Sequence, residues 1–208
     1  MLFSAPTIER PSSWFSWHAT LLRPGARVLD LACGAGRHAI AAAELGGRVT
    51  GVDTDVAKLR TARRAAQHRR LSVEWIEADL EHFAIPECAF DLVMVFNYLD
   101  RRRMADFTRA VQPGGYFLSE TFLESQRQLG WGPKSEEHLL KPYELPALLA
   151  PLEVVVYREA LDFFDGRPMA VGSVLAQRLK GGEMMGEKRS EPQEGKPMPV
   201  AARAREEL

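Results

Sequence analysis

The sequence predicts an α/β fold, a mainly parallel sheet with helices on both faces that ends in an antiparallel hairpin. Three observations carry that prediction. Strand-like and helix-like stretches alternate through the first 180 residues, the grammar of a parallel sheet with crossover helices. The run "AFDLVMVFN" is almost continuously apolar, as suits a strand covered on both faces. Near the end, "LEVVVYREALDFF" and "RPMAVGSVLAQRL" are separated only by a short turn, "DGRP", too little chain for a crossover, so they pair antiparallel.

The elements follow in order. "SSWFSWHATLL" reads as an opening helix with Ser12 or Ser13 as its cap. "RVLDL" is a strand, "GRHAIAAAEL" a helix and "RVTGVD" a second strand. "DVAKLRTARRAAQHRR" carries a helical apolar stripe at Leu59, Ala62 and Ala66, which makes its arginines a solvated face rather than an RNA track. "LSVEWIEAD" and "AFDLVMVFN" are strands, "RRRMADFTRAV" is helical, and "PGG" breaks into the strand "YFLSETF". Beyond Lys180 the composition shifts to Gly, Pro, Glu and Lys, and apolar periodicity is lost. Residues 1–180 therefore read as one domain and 181–208 as a flexible polar tail, with a short helix at "VAARAREEL".

Bulk properties narrow the class. The chain has 208 residues, 46% hydrophobic and 26% charged, with a formal net charge of -1. No global field draws it to nucleic acid or to an anionic membrane. Its two cysteines, Cys33 and Cys88, form no zinc pattern and no disulfide framework. No apolar run is long enough to span a bilayer, and the first residues lack the pattern of a signal peptide. A cytoplasmic protein without metal is the expectation.

The chemistry concentrates in "RVLDLACGAGRHAIAAAEL". A strand ends in an acid, a glycine-rich turn follows, and a helix begins. Gly34 and Gly36 let the backbone turn tightly and approach a ligand. Two ligands compete for such a turn. "GAGRHA" fits the loose dinucleotide pattern, with Asp53 at a plausible distance for a ribose hydroxyl. Asp30 opposes that reading, because a carboxylate repels a pyrophosphate. A cationic cofactor with an ammonium and a sulfonium welcomes it instead, with a Coulomb contribution of several kcal/mol at about 4 Å before desolvation.

"VLDLACGAGR" resembles the first motif of class I S-adenosylmethionine-dependent methyltransferases, here Asp30-x-Ala32-x-Gly34-x-Gly36 with Ala32 in place of a glycine. The resemblance extends from about Trp14 to Lys180. It implies a three-layer, Rossmann-like, seven-stranded sheet in the order 3-2-1-4-5-7-6, with strand 7 antiparallel. It implies that Asp53, in "GVDTD" with Thr54 beside it, grips the ribose hydroxyls. It implies that Asp79, in "IEADLEHF", accepts the adenine amino hydrogen while the Leu80 backbone meets a ring nitrogen, and that Phe96 and Asn97 pass beside the methionine moiety. S-adenosyl-L-methionine is then the cofactor.

The acceptor is less legible. "FNYLD" lacks the prolines that amino-methylating relatives carry after the fourth strand, which points away from nucleic-acid bases. With no added recognition domain, a small-molecule acceptor is expected. Within the family, "CGAGRHAIAAAELGGRVTGVD" looks most like the tellurite-resistance and thiopurine-type members, which implies a thiol, chalcogen or other soft nucleophile. "LESQRQLGWGPKSEEHLLKPYEL", with Trp131, Arg127, Lys134 and His138, occupies the place of an acceptor lid, and Trp14, Trp17 and His18 face it from the opening helix. No catalytic residue is singled out, and monomer and homodimer remain equal. A cofactor-binding regulator and an NAD-linked oxidoreductase are the alternatives.

Overall fold

The computed structural model describes residues 9–181. The tail expected over 181–208 lies outside them apart from Gly181. Seven strands form one sheet in the order β3-β2-β1-β4-β5-β7-β6. They are β1 (Arg27–Leu31), β2 (Arg48–Asp53), β3 (Val73–Glu77), β4 (Phe90–Phe96), β5 (Val111–Phe122), β6 (Glu153–Phe164) and β7 (Arg167–Gln177). β1 to β5 run parallel, and β7 lies antiparallel between β5 and β6. The class I order implied by the resemblance is the order observed.

The helices are α1 (Ser13–His18), α2 (Arg37–Glu44), α3 (Val56–His68), α4 (Met104–Arg109) and α5 (Glu144–Ala147). Each start has a local cause. The Ser12 hydroxyl accepts from the Phe15 N–H at 3.1 Å and caps α1. Asp55 accepts from the Ala57 and Lys58 N–H groups and caps α3. Leu59, Ala62 and Ala66 are buried as the stripe requires, while Arg60, Arg64 and Arg70 face solvent. The core has two main layers, one on each face of the sheet. One gathers Phe107, Phe117, Leu145 and Leu149. The other gathers Trp14, Phe15, Met94 and Phe96.

The Asp165-Gly166 turn takes positive φ at both residues, 47° and 75°, the conformation that matches the twist of a two-residue hairpin. β6 is an edge strand whose Val154, Val155, Val156 and Leu161 are exposed. On β3, Trp75 packs beneath two glycines. A Cβ at Gly36 would lie 2.5 Å from its Cη2, and one at Gly51 would lie 2.8 Å from its Cε3.

Three details differ from the sequence reading. β5 begins at Val111, ahead of "PGG", and its pairing with β4 slips between Phe90 and Leu92; Gly114, at φ 83°, absorbs the irregularity. α4 is only six residues long, because the arginines before it are spent on tertiary ties. Arg101 binds Glu144 and the Leu139 carbonyl, and Arg103 binds the Glu81 and Phe83 carbonyls. The segment between β5 and β6 forms short 3-10 turns that pack on the hairpin rather than a lid. Trp131 donates to the Pro168 carbonyl at 2.9 Å, and Gln126 joins the Trp131 carbonyl to the Ala170 N–H.

Candidate functional site

The carboxyl ends of β1, β2, β3 and β4 open onto one cavity of about 600 Å³, within the roughly 300–1,000 Å³ that takes a drug-sized ligand. Of the residues selected from sequence, Ala32, Gly34, Asp53, Thr54, Asp79, Leu80, Phe96 and Asn97 line it. Asp30 and Gly36 do not.

Asp53 ends β2 and organises the glycine turn. Its Oδ2 accepts from the Gly34 N–H at 2.7 Å and its Oδ1 from the Asp55 N–H at 2.8 Å. Each oxygen keeps a further lone pair for a ligand. Asp79 is exposed, and its Oδ1 accepts from the Glu81 N–H at 2.9 Å. Leu80 is buried beside it. Ala32 holds φ 54° and Asn97 holds φ 55°, so the loops after β1 and β4 each bring a non-glycine residue in the left-handed region to the cavity.

Asp30 lies behind the cavity, almost wholly buried. Burial pushes its carboxyl up to about 7, against an opposing hydrogen bond from the Ala39 N–H and the field of Arg37. Its Oδ2 finds no hydrogen-bond partner among the described residues. An unpartnered acceptor so placed favours positive charge or a bridging donor nearby. Gly36 serves packing: it starts α2 at φ 80° and leaves room for Trp75.

Several further lining residues were not selected from sequence as cofactor contacts, Glu9, Cys33, Arg37, His38, Lys58 and Tyr98 among them. Arg37 and His38 were readable, since a first helical turn directly after a glycine loop faces the loop's ligand. Glu9 was not, because nothing local ties residue 9 to β1. Arg37 is nearly buried, 3.6 Å from Glu9 and 4.7 Å from the Phe164 ring centre. His38 stacks on Phe96 at 3.8 Å, and its Nε2 accepts from the Ser12 N–H at 3.1 Å. Burial and the neighbouring Arg37 hold His38 well below its ordinary value, so it is neutral. Burial pushes the Cys33 thiol far up, which makes it an inert turn residue.

Residues 28–115 match the family model of a methyltransferase domain. Residues 28–115 therefore read as a methyltransferase domain, and the strand order around them is that of the class I fold. It is 29% identical over 171 residues to a ubiquinone biosynthesis O-methyltransferase of Methylocella silvestris, covering 73% of this chain and 66% of that protein. It is 37% identical over 110 residues to the ribosomal protein L11 methyltransferase of Thermus thermophilus, covering 52% and 43% respectively. The chain thus spans less than two thirds of the length of these curated relatives. Among solved structures, TehB from Haemophilus influenzae superposes with a TM-score of 0.67 at 21% identity, over 78% of this chain and 60% of that one, a likeness of fold.

The cofactor that goes with this domain is S-adenosylmethionine, and the residues fit it. Asp53 suits a vicinal diol, and Ala78, Leu80 and Asp79 form an apolar slot with one polar acceptor for a purine. The buried acid behind the loop suits a cationic group, and Arg37 suits a carboxylate. A diphosphate would meet Glu9, Asp53 and Asp79 across the same space. No described helix is long and apolar enough to cross a membrane.

Proposed function

We propose that this chain is an S-adenosylmethionine-dependent methyltransferase acting on a small-molecule acceptor, without nucleic acid or membrane as partner. The observation that carries the proposal is the convergence of Asp53, Asp79 and the Gly34 turn on one cavity within a methyltransferase domain. The cofactor, when bound, supplies a methyl group already activated by a sulfonium. The chain's own task is then alignment, which is worth about 7–11 kcal/mol when geometry is well held. Asp53 fixes both the loop and the ribose end. Phe96 and His38 form a stacked, uncharged wall where β4 ends. The residues proposed to hold the cofactor are Asp30, Ala32, Gly34, Gly36, Asp53, Thr54, Asp79, Leu80, Phe96 and Asn97, with Asp30 and Gly36 acting from behind the loop.

Two acceptor atoms have support. The "CGAGRHAIAAAELGGRVTGVD" loop supports a thiol or chalcogen through its resemblance to tellurite-resistance and thiopurine-type members. The relative named as an O-methyltransferase supports a hydroxyl. Calorimetry with S-adenosylhomocysteine and with NAD tests the cofactor. Micromolar binding of the first and none of the second is expected; the reverse would sink the proposal. A panel of phenols, thiols, selenite and amines, assayed for methyl transfer from labelled cofactor, tests turnover.

A further inference from the structure

A second cavity of about 240 Å³ adjoins the first, and Arg37 lines both. Its other walls include Arg10, Glu120, Asp162, Phe163, Phe164 and Met169. Glu120 stands near the carboxyl end of β5, in register with Phe96 of β4, so it lies on the side of the sheet switch from which an acceptor would face the cofactor cavity. We propose that this second cavity is the acceptor site, and that it takes a neutral, ring-sized molecule whose hydroxyl donates a hydrogen bond to Glu120. This rests on the methyltransferase reading above.

The chemistry of the walls selects that class. Glu120 is only 5% exposed, and an acid so buried is retained at a cost unless it has partners. Its Oε2 accepts from the Ser173 hydroxyl at 2.8 Å and sits 3.5 Å from Arg158 Nη2, while Arg158 also binds Asp162. Oε1 has no hydrogen bond to Ser173, Arg158 or Asp162, while the Ser12 hydroxyl, in the same cavity wall, is a further partner of the carboxylate. Burial raises the pKa of Glu120, so a proton donor is welcome and a second anion is not. Around the cavity, Arg37 is paired with Glu9, and Arg158, just behind the lining, with both Glu120 and Asp162, which leaves Arg10 and Asp165 as one charge of each sign. With those pairs already made, a second anion gains nothing by entering and a cation has to compete with the arginines already there. A thiol that ionises near neutrality would bring like charge against Glu120. A phenol keeps its proton and offers it. The Phe163 and Phe164 rings and Met169 then meet the flat face of the ligand. When the hydroxyl ionises, its O–H bond breaks, the proton passes to the Glu120 carboxylate and the electron pair stays on the acceptor oxygen.

Three ring-sized probes test this on the full chain saturated with S-adenosylhomocysteine: neutral 4-methylphenol, the more acidic 4-methylthiophenol and the cationic 4-methylbenzylamine, each titrated by calorimetry. The phenol is expected to bind at least tenfold more tightly than either of the others. In Glu120→Gln the amide carbonyl takes the place of Oε2 and the NH2 group faces the cavity. Phenol affinity should fall tenfold or more while S-adenosylhomocysteine affinity stays within threefold, which also verifies the fold. Phe163→Ala, at an exposed position, should cost the phenol about threefold and nothing in stability. Preference for the amine or the thiol, equal phenol binding by Glu120→Gln, or no phenol binding by a protein that holds S-adenosylhomocysteine each overturns the acceptor site and leaves the methyltransferase reading standing. Failure of S-adenosylhomocysteine itself to bind overturns both.

Discussion

The two adjoining cavities are built in different ways. The larger one comes mostly from short, contiguous pieces: the turn after β1, the tip of β2, the turn after β3 and the end of β4. The smaller one joins residues 10–13, one side chain of β5 and the tip of the β6–β7 hairpin, which lie more than 100 positions apart in places. In the first, backbone conformation defines the surface, and side chains mainly lock the backbone. In the second, side chains define the surface and nothing local holds them. The loops of the first cavity are thus set by neighbours in sequence, whereas the second cavity is set by packing. Apart from Arg37, which lines both, the two should respond to substitution independently.

The largest test concerns Asp30. Its pKa rises from 3.8 to about 7 on folding, so the folded protein binds a proton that the unfolded chain releases. The penalty is absent below pH 4, accrues between pH 4 and 7 and is complete above, about 4 kcal/mol at 1.4 kcal/mol per unit. Thermal or urea unfolding from pH 5 to pH 8 should show the wild type losing stability relative to Asp30→Asn. Parallel curves would mean that the carboxylate finds a partner when ionised.

Next is Gly36→Ala, which adds a Cβ 2.5 Å from Trp75 in a backbone conformation at φ 80°. A loss of about 2–4 kcal/mol in urea unfolding is expected, with S-adenosylhomocysteine binding lost in step. If stability fell while Glu120-dependent phenol binding and cofactor binding both survived, the loop would not be the seat of the first cavity.

Asp53→Ala removes the acceptor for two loop N–H groups along with the ribose contact. S-adenosylhomocysteine affinity should fall more than tenfold by calorimetry; an unchanged affinity would refute the ribose role. The smallest effect belongs to Ala32→Gly. Relief of the left-handed strain at φ 54° is offset by the greater freedom of glycine in the unfolded chain, so the change in unfolding free energy should be within about 1 kcal/mol and on the stabilising side. A clear loss would show that the Ala32 methyl packs against something the loop needs.

The same contrast explains what was legible in the sequence. The strands, the hairpin and the cap at Ser12 follow from local pattern and turn chemistry, whereas the strand order came with the family resemblance. Eight of the ten residues proposed to hold the cofactor line the cavity, because each stands in or beside a turn that follows an apolar run. Asp30 was found by its charge, but its depth was not, since no local pattern distinguishes an acid in a pocket from one beneath it. Arg101 and Arg103 look like free cations in sequence, yet backbone carbonyls 38 and 20 positions away hold them. Trp131 looked like part of a lid and anchors the hairpin instead. Glu120 gave no signal, because a lone glutamate in "YFLSETF" carries no information about which distant side chains it will meet.

Trp75 touches both the turn that carries Gly36 and the strand that carries Gly51, and no other indole lies beneath that turn. It is therefore a natural optical gauge. Its emission reports whether the turn is seated, so a protein retaining Trp75 while Trp14, Trp17 and Trp131 are changed to phenylalanine would let an experimenter follow the filling of the first cavity in real time, with no label attached.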